Sequence, residues 1–193
     1  MLDTEFTAWP GSMARNWRGD NEHREIVQIG ACRFIVTATG ARPGATFNVL
    51  IRPQRNPQLS DYFVKLTGIE QAMIDNMGID FPSALKQFHD FTHQGQLACF
   101  CWGNDVDVLA ENCRLHDIAM PPFRQWRDLR QLAQSHGVSA SHNDSGQLAQ
   151  ALGIPLLGHN HNALFDVRSI GAALNHWLVE GELSVSGLIA RDE

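Results

Sequence analysis

The spacing of apolar residues predicts strands in the first part of the chain and mostly helices after it. Apolar and polar positions alternate well enough for strands in three segments: 1–6, 25–36 and 46–51. Residues 7–23, rich in Gly, Arg, Asn and Trp, predict a long loop after the first strand. Gly40, Pro43 and Gly44 predict a turn over 37–45. The three strands are therefore expected to form an antiparallel meander.

From about residue 60 the apolar spacing becomes helical. Helices are predicted over seven segments: 60–68, 69–77, 81–94, 105–116, 129–136, 145–152 and 167–180. Gly68 is suited to end the first of them, because glycine readily adopts the left-handed cap conformation. Two apolar segments between the helices, 96–102 and 123–129, predict two further strands. The order of elements predicts a single mixed α/β domain over 1–193.

Composition and charge narrow the classes of protein to which the chain can belong. The chain is 44% hydrophobic and 19% charged, as in ordinary globular domains, and its net charge of −6 provides no basic field for non-specific duplex binding. The four cysteines lack the spacing of a zinc knuckle, so we expect free thiols in a reducing cytoplasm. No apolar segment reaches membrane-spanning length, which predicts a soluble, cytoplasmic protein.

Two acidic clusters carry candidate chemistry. Asp3 and Glu5 stand two residues apart on a predicted strand, so both side chains point to one face and repel each other unless a cation lies between them. Asp105 and Asp107 open a predicted helix, where N-capping alone would explain one of them. We favour Asp105, because Val108 and the residue after it, three and four positions on, belong to the face that this helix buries. Asp107 stays an alternative.

A third cluster contains histidines and one carboxylate. His161 lies five residues before Asp166 in a Gly- and Asn-rich loop that leads into an Ala-rich helix. A histidine with an ordinary pKa near 6.5 can accept a proton from water at neutral pH. His159 competes with His161 for this role, and a plain surface position is the alternative for either.

Together the three clusters resemble the DEDD superfamily of 3′–5′ exonucleases, in the branch with a catalytic histidine. The motifs are Asp-x-Glu at Asp3 and Glu5, an Asp that opens a mid-chain helix, and His-x-Ala-x-x-Asp at residues 161–166. The tyrosine branch does not fit, because the only tyrosine is Tyr62. Segments 25–31 and 57–69 are most similar to the sub-group of histone-mRNA and RNA-interference exonucleases and their small bacterial relatives.

The resemblance implies a ribonuclease H-like fold, a mixed five-stranded sheet flanked by helices, with the antiparallel meander followed by parallel strands. It implies two Mg²⁺ ions, replaceable by Mn²⁺, held by four carboxylates, with Asp3 shared between the ions. It implies His161 as the general base and release of 5′-nucleoside monophosphates from the 3′ end of single-stranded RNA or DNA. The metal ligands would be Asp3, Glu5, Asp105 and Asp166, and the contacts to the terminal sugar and base Phe6, Thr7, Leu66 and Thr67.

Other interpretations stay open at this stage. A catalytically silent nucleic-acid- or protein-binding module of the same fold would normally lack an acidic residue of the motif, and none is missing here. A proofreading exonuclease bound to a polymerase keeps the same chemistry. A homodimer, the choice between RNA and DNA, and the completeness of the first strand, with only two residues before Asp3, also remain open.

Overall fold

The computed structural model describes residues 1–189. Its first three strands, β1 (Leu2–Phe6), β2 (Ile26–Thr37) and β3 (Gly40–Leu50), form an antiparallel sheet in the order β1-β2-β3. The predicted meander is therefore confirmed, and residues 7–25 between β1 and β2 contain neither helix nor strand. In the register of the first pair, Asp3 lies opposite Gly30 and Glu5 lies opposite Gln28.

The turn predicted over 37–45 is wrong, because β3 begins at Gly40 and the turn covers only residues 38 and 39. Pro43 pairs with Phe34, and both Pro43 and Gly44 are exposed. A proline is tolerated at this point because β3 is the outer strand of the sheet, where a missing N–H removes no bond to a further strand.

The two later strands are shorter than predicted. β4 (Cys99–Cys101) and β5 (Trp126–Asp128) pair in parallel, and β4 lies alongside β1. All five predicted strands thus form, divided between a three-stranded and a two-stranded hydrogen-bonded sheet. The carboxyl end of β4 leads directly into the helix that begins at Asp105.

The predicted helices form, with shifted ends. They are α1 (Asp61–Thr67), α2 (Gln71–Met77), α3 (Phe81–Phe91), α4 (Asp105–Leu115), α5 (Leu129–Ser135), α6 (Leu148–Ala151) and α7 (Ala163–Val179). Gly68 ends α1 in the left-handed conformation, as predicted. A 3₁₀ turn, Ser145–Gln147, precedes α6, and a short helix not expected from the sequence, α8 (Val185–Ile189), follows α7.

Helix α7 begins four residues earlier than predicted, and this places Asp166 inside its first turn. Asn162 caps the helix, since its side chain accepts a hydrogen bond from the backbone N–H of Phe165. The predicted loop continued to residue 166, whereas the cap at Asn162 ends the loop and starts the helix at Ala163. Asp166 therefore has a helical backbone, which fixes the direction of its side chain.

Helix α7 packs directly against β2 because Gly30 has no side chain. A Cβ atom at Gly30 would lie 2.4 Å from the carbonyl carbon of Ala163 and from the amide nitrogen of Leu164. Further along α7, Trp177 is fully buried and its ring stacks against that of Trp102, 5.8 Å between centroids. This helix is thereby held across the sheet, with its first turn over the centre of β1 and β2.

The four cysteines are buried and free, as expected. Among the described residues, no helix is long and apolar enough to cross a membrane.

Candidate active site

Three carboxylates predicted from distant parts of the chain meet over the sheet. Asp3, Glu5 and Asp166 each offer one carboxylate oxygen, and these oxygens all lie within 4.8 Å of one another. Asp3 and Glu5 share one face of β1, as their spacing predicted, and α7 brings Asp166 to that face. All three residues are buried.

Burial and mutual repulsion disfavour the charged forms of these side chains. The pKa of Asp3 is raised well above its usual range, first by burial and then by the charges of Asp105, Glu5 and Asp166. Burial, followed by the neighbouring charges, likewise raises the pKa of Glu5. Burial also raises the pKa of Asp166 to about 6, although hydrogen bonds from Ser145 and from the His161 backbone amide act in the opposite direction. A bound cation would lower these pKa values, since it favours the ionised carboxylates.

The donor set fits a hard divalent cation. The three clustered groups offer only carboxylate oxygens, which suit Mg²⁺ or Mn²⁺ better than the nitrogen- and sulfur-seeking metals. The Oδ1 atom of Asp166 is buried and accepts no hydrogen bond within the part of the chain that the structure describes. A buried oxygen without a partner is costly unless another group occupies the position facing it, as a metal ion would.

Asp105 lies beside this cluster rather than within it. It occupies the first turn of α4, is buried, and its Oδ1 accepts a hydrogen bond from the Thr4 hydroxyl at 2.7 Å. Burial raises the pKa of Asp105 to about 6, and its charge is the largest electrostatic influence on Asp3. Asp107, by contrast, is exposed on the same helix. The structure therefore brings Asp105, and not Asp107, next to the other carboxylates.

The two candidate histidines lie in the loop before α7, and both are exposed. His161 has a left-handed backbone, with φ of 60°, and its N–H supports Asp166. Desolvation lowers the pKa of His161, which favours the neutral ring that can accept a proton. His159 lies close to Gly68, where an added Cβ would be 3.2 Å from its Nε2, so this histidine stands between the loop and the end of α1.

The four predicted substrate contacts differ in what they offer a ligand. The hydroxyl of Thr7 donates to the His23 carbonyl and accepts from the Glu25 N–H at 3.0 Å, and that of Thr67 donates to the Phe63 carbonyl at 3.0 Å. Both threonines are buried. Phe6 and Leu66 are only partly buried, so these two side chains carry the accessible apolar surface.

The loop that follows β1 packs against the ring of Phe6. The rings of Phe6 and Trp17 pack edge to face, with 5.3 Å between centroids, and Trp17 Nε1 donates to the Thr7 carbonyl at 2.8 Å. The guanidinium of Arg24 lies over both rings, 5.7 and 5.4 Å from their centroids, and pairs with Glu111. Phe6 is consequently held in one orientation beside the acidic cluster.

Two polar residues of the site were not identified from the sequence. Thr4 lies between Asp3 and Glu5 on β1 and belongs to no motif, yet its hydroxyl donates to Oδ1 of Asp105. Ser145 was only the start of a predicted helix, yet its hydroxyl donates to Oδ2 of Asp166 at 3.0 Å. No spacing along the chain signals either contact, because the partners are 101 and 21 residues away.

The chain is similar to known exonucleases in both sequence and structure. The family model described as "Exonuclease" (RNase T) matches residues 1–174. The chain is 26% identical to the Drosophila melanogaster 3′–5′ exonuclease Snipper, over 94% of this chain and 69% of that protein. It is 28% identical to human ERI1 exoribonuclease 2 over 92% of this chain, but spans only 27% of that longer protein. The crystallographic nuclease domain of 3′hExo, a DEDDh family member bound to rAMP, superposes with a TM-score of 0.76 at 24% identity, over 93% of this chain and 90% of that one.

Proposed function

Since the chain belongs to the RNase T exonuclease family, in its histidine branch, and is a 3′–5′ exonuclease, we propose that it degrades single-stranded RNA or DNA to 5′-nucleoside monophosphates. Membership in this branch implies a divalent metal cofactor. The observation that supports the finer proposal is the convergence of Asp3, Glu5 and Asp166, whose ligand oxygens lie within 4.8 Å of one another.

The proposed metal ligands are Asp3, Glu5, Asp105 and Asp166. A pair of divalent cations held by these carboxylates would stabilise charge on the attacking and leaving oxygens of an in-line displacement. Asp3 is the candidate for the shared ligand, because its pKa responds to the charges of all three other carboxylates. Asp105, whose carboxylate accepts a hydrogen bond from Thr4, would be the metal ligand that α4 contributes.

His161 is proposed as the general base. Its pKa is lowered, so the ring is mostly neutral at neutral pH, and a neutral ring can take the proton of the attacking water. His161 lies in the exposed loop directly before α7, and its backbone amide is bonded to Asp166, which keeps this residue next to a carboxylate of the cluster. General-base catalysis of this type contributes about 10²- to 10⁴-fold to rate.

Phe6 and Leu66 are proposed to contact the terminal nucleotide. Aromatic and apolar surfaces stack on any base and require it to be unpaired, which favours a single-stranded 3′ end. Thr7 and Thr67 would contact the nucleotide through backbone atoms, because their hydroxyls are already bonded within the protein.

A time course on matched 3′-labelled single-stranded RNA and DNA, with Mg²⁺ or Mn²⁺, tests the proposal. We expect stepwise release of mononucleotides by the wild type, and none by Asp3→Ala. His161→Ala should lose about 10²-fold or more in kcat. The name of the human relative makes RNA the substrate to examine first.

Asp107→Asn is the matched control for Asp105→Asn, because the two carboxylates stand on the same turn of α4 but only one is buried at the site. Asp105→Asn should abolish most activity, and Asp107→Asn should keep it. Activity that survives Asp3→Ala would show that the site is wrongly assigned. A wild type that is silent on both substrates would favour a binding module of the same fold.

A further inference from the structure

Ser145 forms a hydrogen bond with one of the clustered carboxylates. It begins the 3₁₀ turn Ser145–Gln147, and its hydroxyl donates to Oδ2 of Asp166 at 3.0 Å. The Ser145 side chain also opposes, to a small extent, the rise that burial causes in the pKa of Asp3. Ser145 is thus a neutral donor bonded directly to a carboxylate of the acidic cluster.

The residue after Ser145 brings the turn unusually close to Asp166. A Cβ atom at Gly146 would lie 2.5 Å from Oδ1 of Asp166 and 2.9 Å from the side-chain oxygen of Asn160. The backbone of the turn therefore forms a wall against one side of the Asp166 carboxylate, and the Ser145 hydroxyl holds its other oxygen. Both contacts restrict how this carboxylate can rotate.

We propose that Ser145 is a positioning residue, whose hydroxyl holds the carboxylate of Asp166 in the orientation that a divalent cation requires. This inference rests on the proposed function of the acidic cluster as the metal site. A hydroxyl suits the task because it donates a single hydrogen and carries no charge. It therefore orients the Asp166 carboxylate and leaves its remaining lone pairs free, whereas a Lys or Arg would neutralise this carboxylate and compete with the cation.

Binding of Mn²⁺ to the metal-free full chain, measured by isothermal titration calorimetry, tests this role without depending on turnover. We expect Ser145→Ala to weaken Mn²⁺ binding by about 10- to 100-fold, as is typical when a group that orients a metal ligand is removed. Ser145→Thr retains the hydroxyl and should bind within about threefold of the wild type, well inside the effect of the alanine variant. The nuclease assay should show a matching rise in the Mn²⁺ concentration that gives half-maximal rate.

Ser169→Ala is the matched control. The Ser169 hydroxyl is buried on the same helix as Asp166 and accepts the Ala149 N–H at 3.0 Å, so it joins α6 to α7. Within residues 1–189 it forms no hydrogen bond with a carboxylate. This variant should unfold at a lower temperature than the wild type and bind Mn²⁺ with unchanged affinity.

Two results would overturn the inference. One is unchanged Mn²⁺ affinity in Ser145→Ala, and the other is an equal loss of affinity in Ser145→Ala and Ser169→Ala, which would assign the effect to packing. A failure of the proposed function would give a different result. The wild type would not bind Mn²⁺, or Asp166→Asn would bind Mn²⁺ as tightly as the wild type does. In either case both proposals would be wrong.

Discussion

Replacing Gly30 with alanine should disable the site through packing alone. Gly30 lies opposite Asp3 in the sheet, and its missing side chain is what allows the first turn of α7 to lie against β2. A Cβ atom at this position would be 2.4 Å from the backbone of Ala163 and Leu164, whereas ordinary contacts begin at about 3.4 Å. Helix α7 would have to move away from the sheet by about 1 Å, and Asp166 would move with it.

The expected magnitude follows from that displacement. A misplacement of about 1 Å in a catalytic group can cost about 10²-fold in rate. Forcing an extra methyl group into a packed interior destabilises a protein by about 1–3 kcal/mol. We therefore expect Gly30→Ala to remain folded, to unfold at a lower urea concentration, and to lose about 10²-fold in kcat at saturating metal.

The assay compares urea unfolding and nuclease rate in Gly30→Ala and Gly44→Ala. Gly44 lies in the same sheet, on β3, but a Cβ there would meet only the Arg33 carbonyl, at 3.4 Å, in an exposed position. Gly44→Ala should resemble the wild type in both measurements. If Gly30→Ala kept full activity, or if the two variants were indistinguishable, the close approach of α7 would not be what positions Asp166.

Further predictions concern the hydrogen bonds and ionisation of the acidic residues. Thr4→Val removes the 2.7 Å bond to buried Asp105 and should lower the free energy of unfolding at pH 8 by about 1–3 kcal/mol, measured in urea; an unchanged midpoint would contradict this. Because burial raises the pKa values of Asp105 and Asp166 to about 6, the folded metal-free protein binds protons more tightly than the unfolded chain. Its stability should therefore fall as pH rises from about 4 to 7, and thermal unfolding in EDTA checks the sign. Mg²⁺ should accordingly raise the melting temperature more at pH 8 than at pH 5, and an equal rise at both would refute the account. Asp166→Asn should stabilise the metal-free protein at pH 8 and remove that Mg²⁺ effect.

Most of the fold could be predicted from local signals in the sequence. Alternation placed β1 and β2, and the end of α1 at Gly68 followed from its conformational freedom. The turn over 37–45 was wrong because proline breaks a strand only where a neighbour needs its missing N–H, and β3 has no further strand beside it in its sheet. Glycine weakens a strand but keeps both backbone groups, so it does not prevent pairing. Strand alternation reports the side-chain pattern but says nothing about whether a strand lies at an edge.

The sequence by itself determined which chemical groups the site contains. The spacing of Asp3 and Glu5 puts both carboxylates on one face of a strand, whatever packs there. The start of α7 was missed, because the predicted helix began at residue 167 and left Asp166 in the loop. Only the tertiary structure decided how these groups meet. The approach of α7 at Gly30, the placement of Asp105 rather than Asp107 beside Asp3, and the hydroxyls of Thr4 and Ser145 all depend on contacts between distant segments. Local periodicity fixes the face on which a side chain lies, whereas its distance to a partner is set by the packing of whole elements against one another.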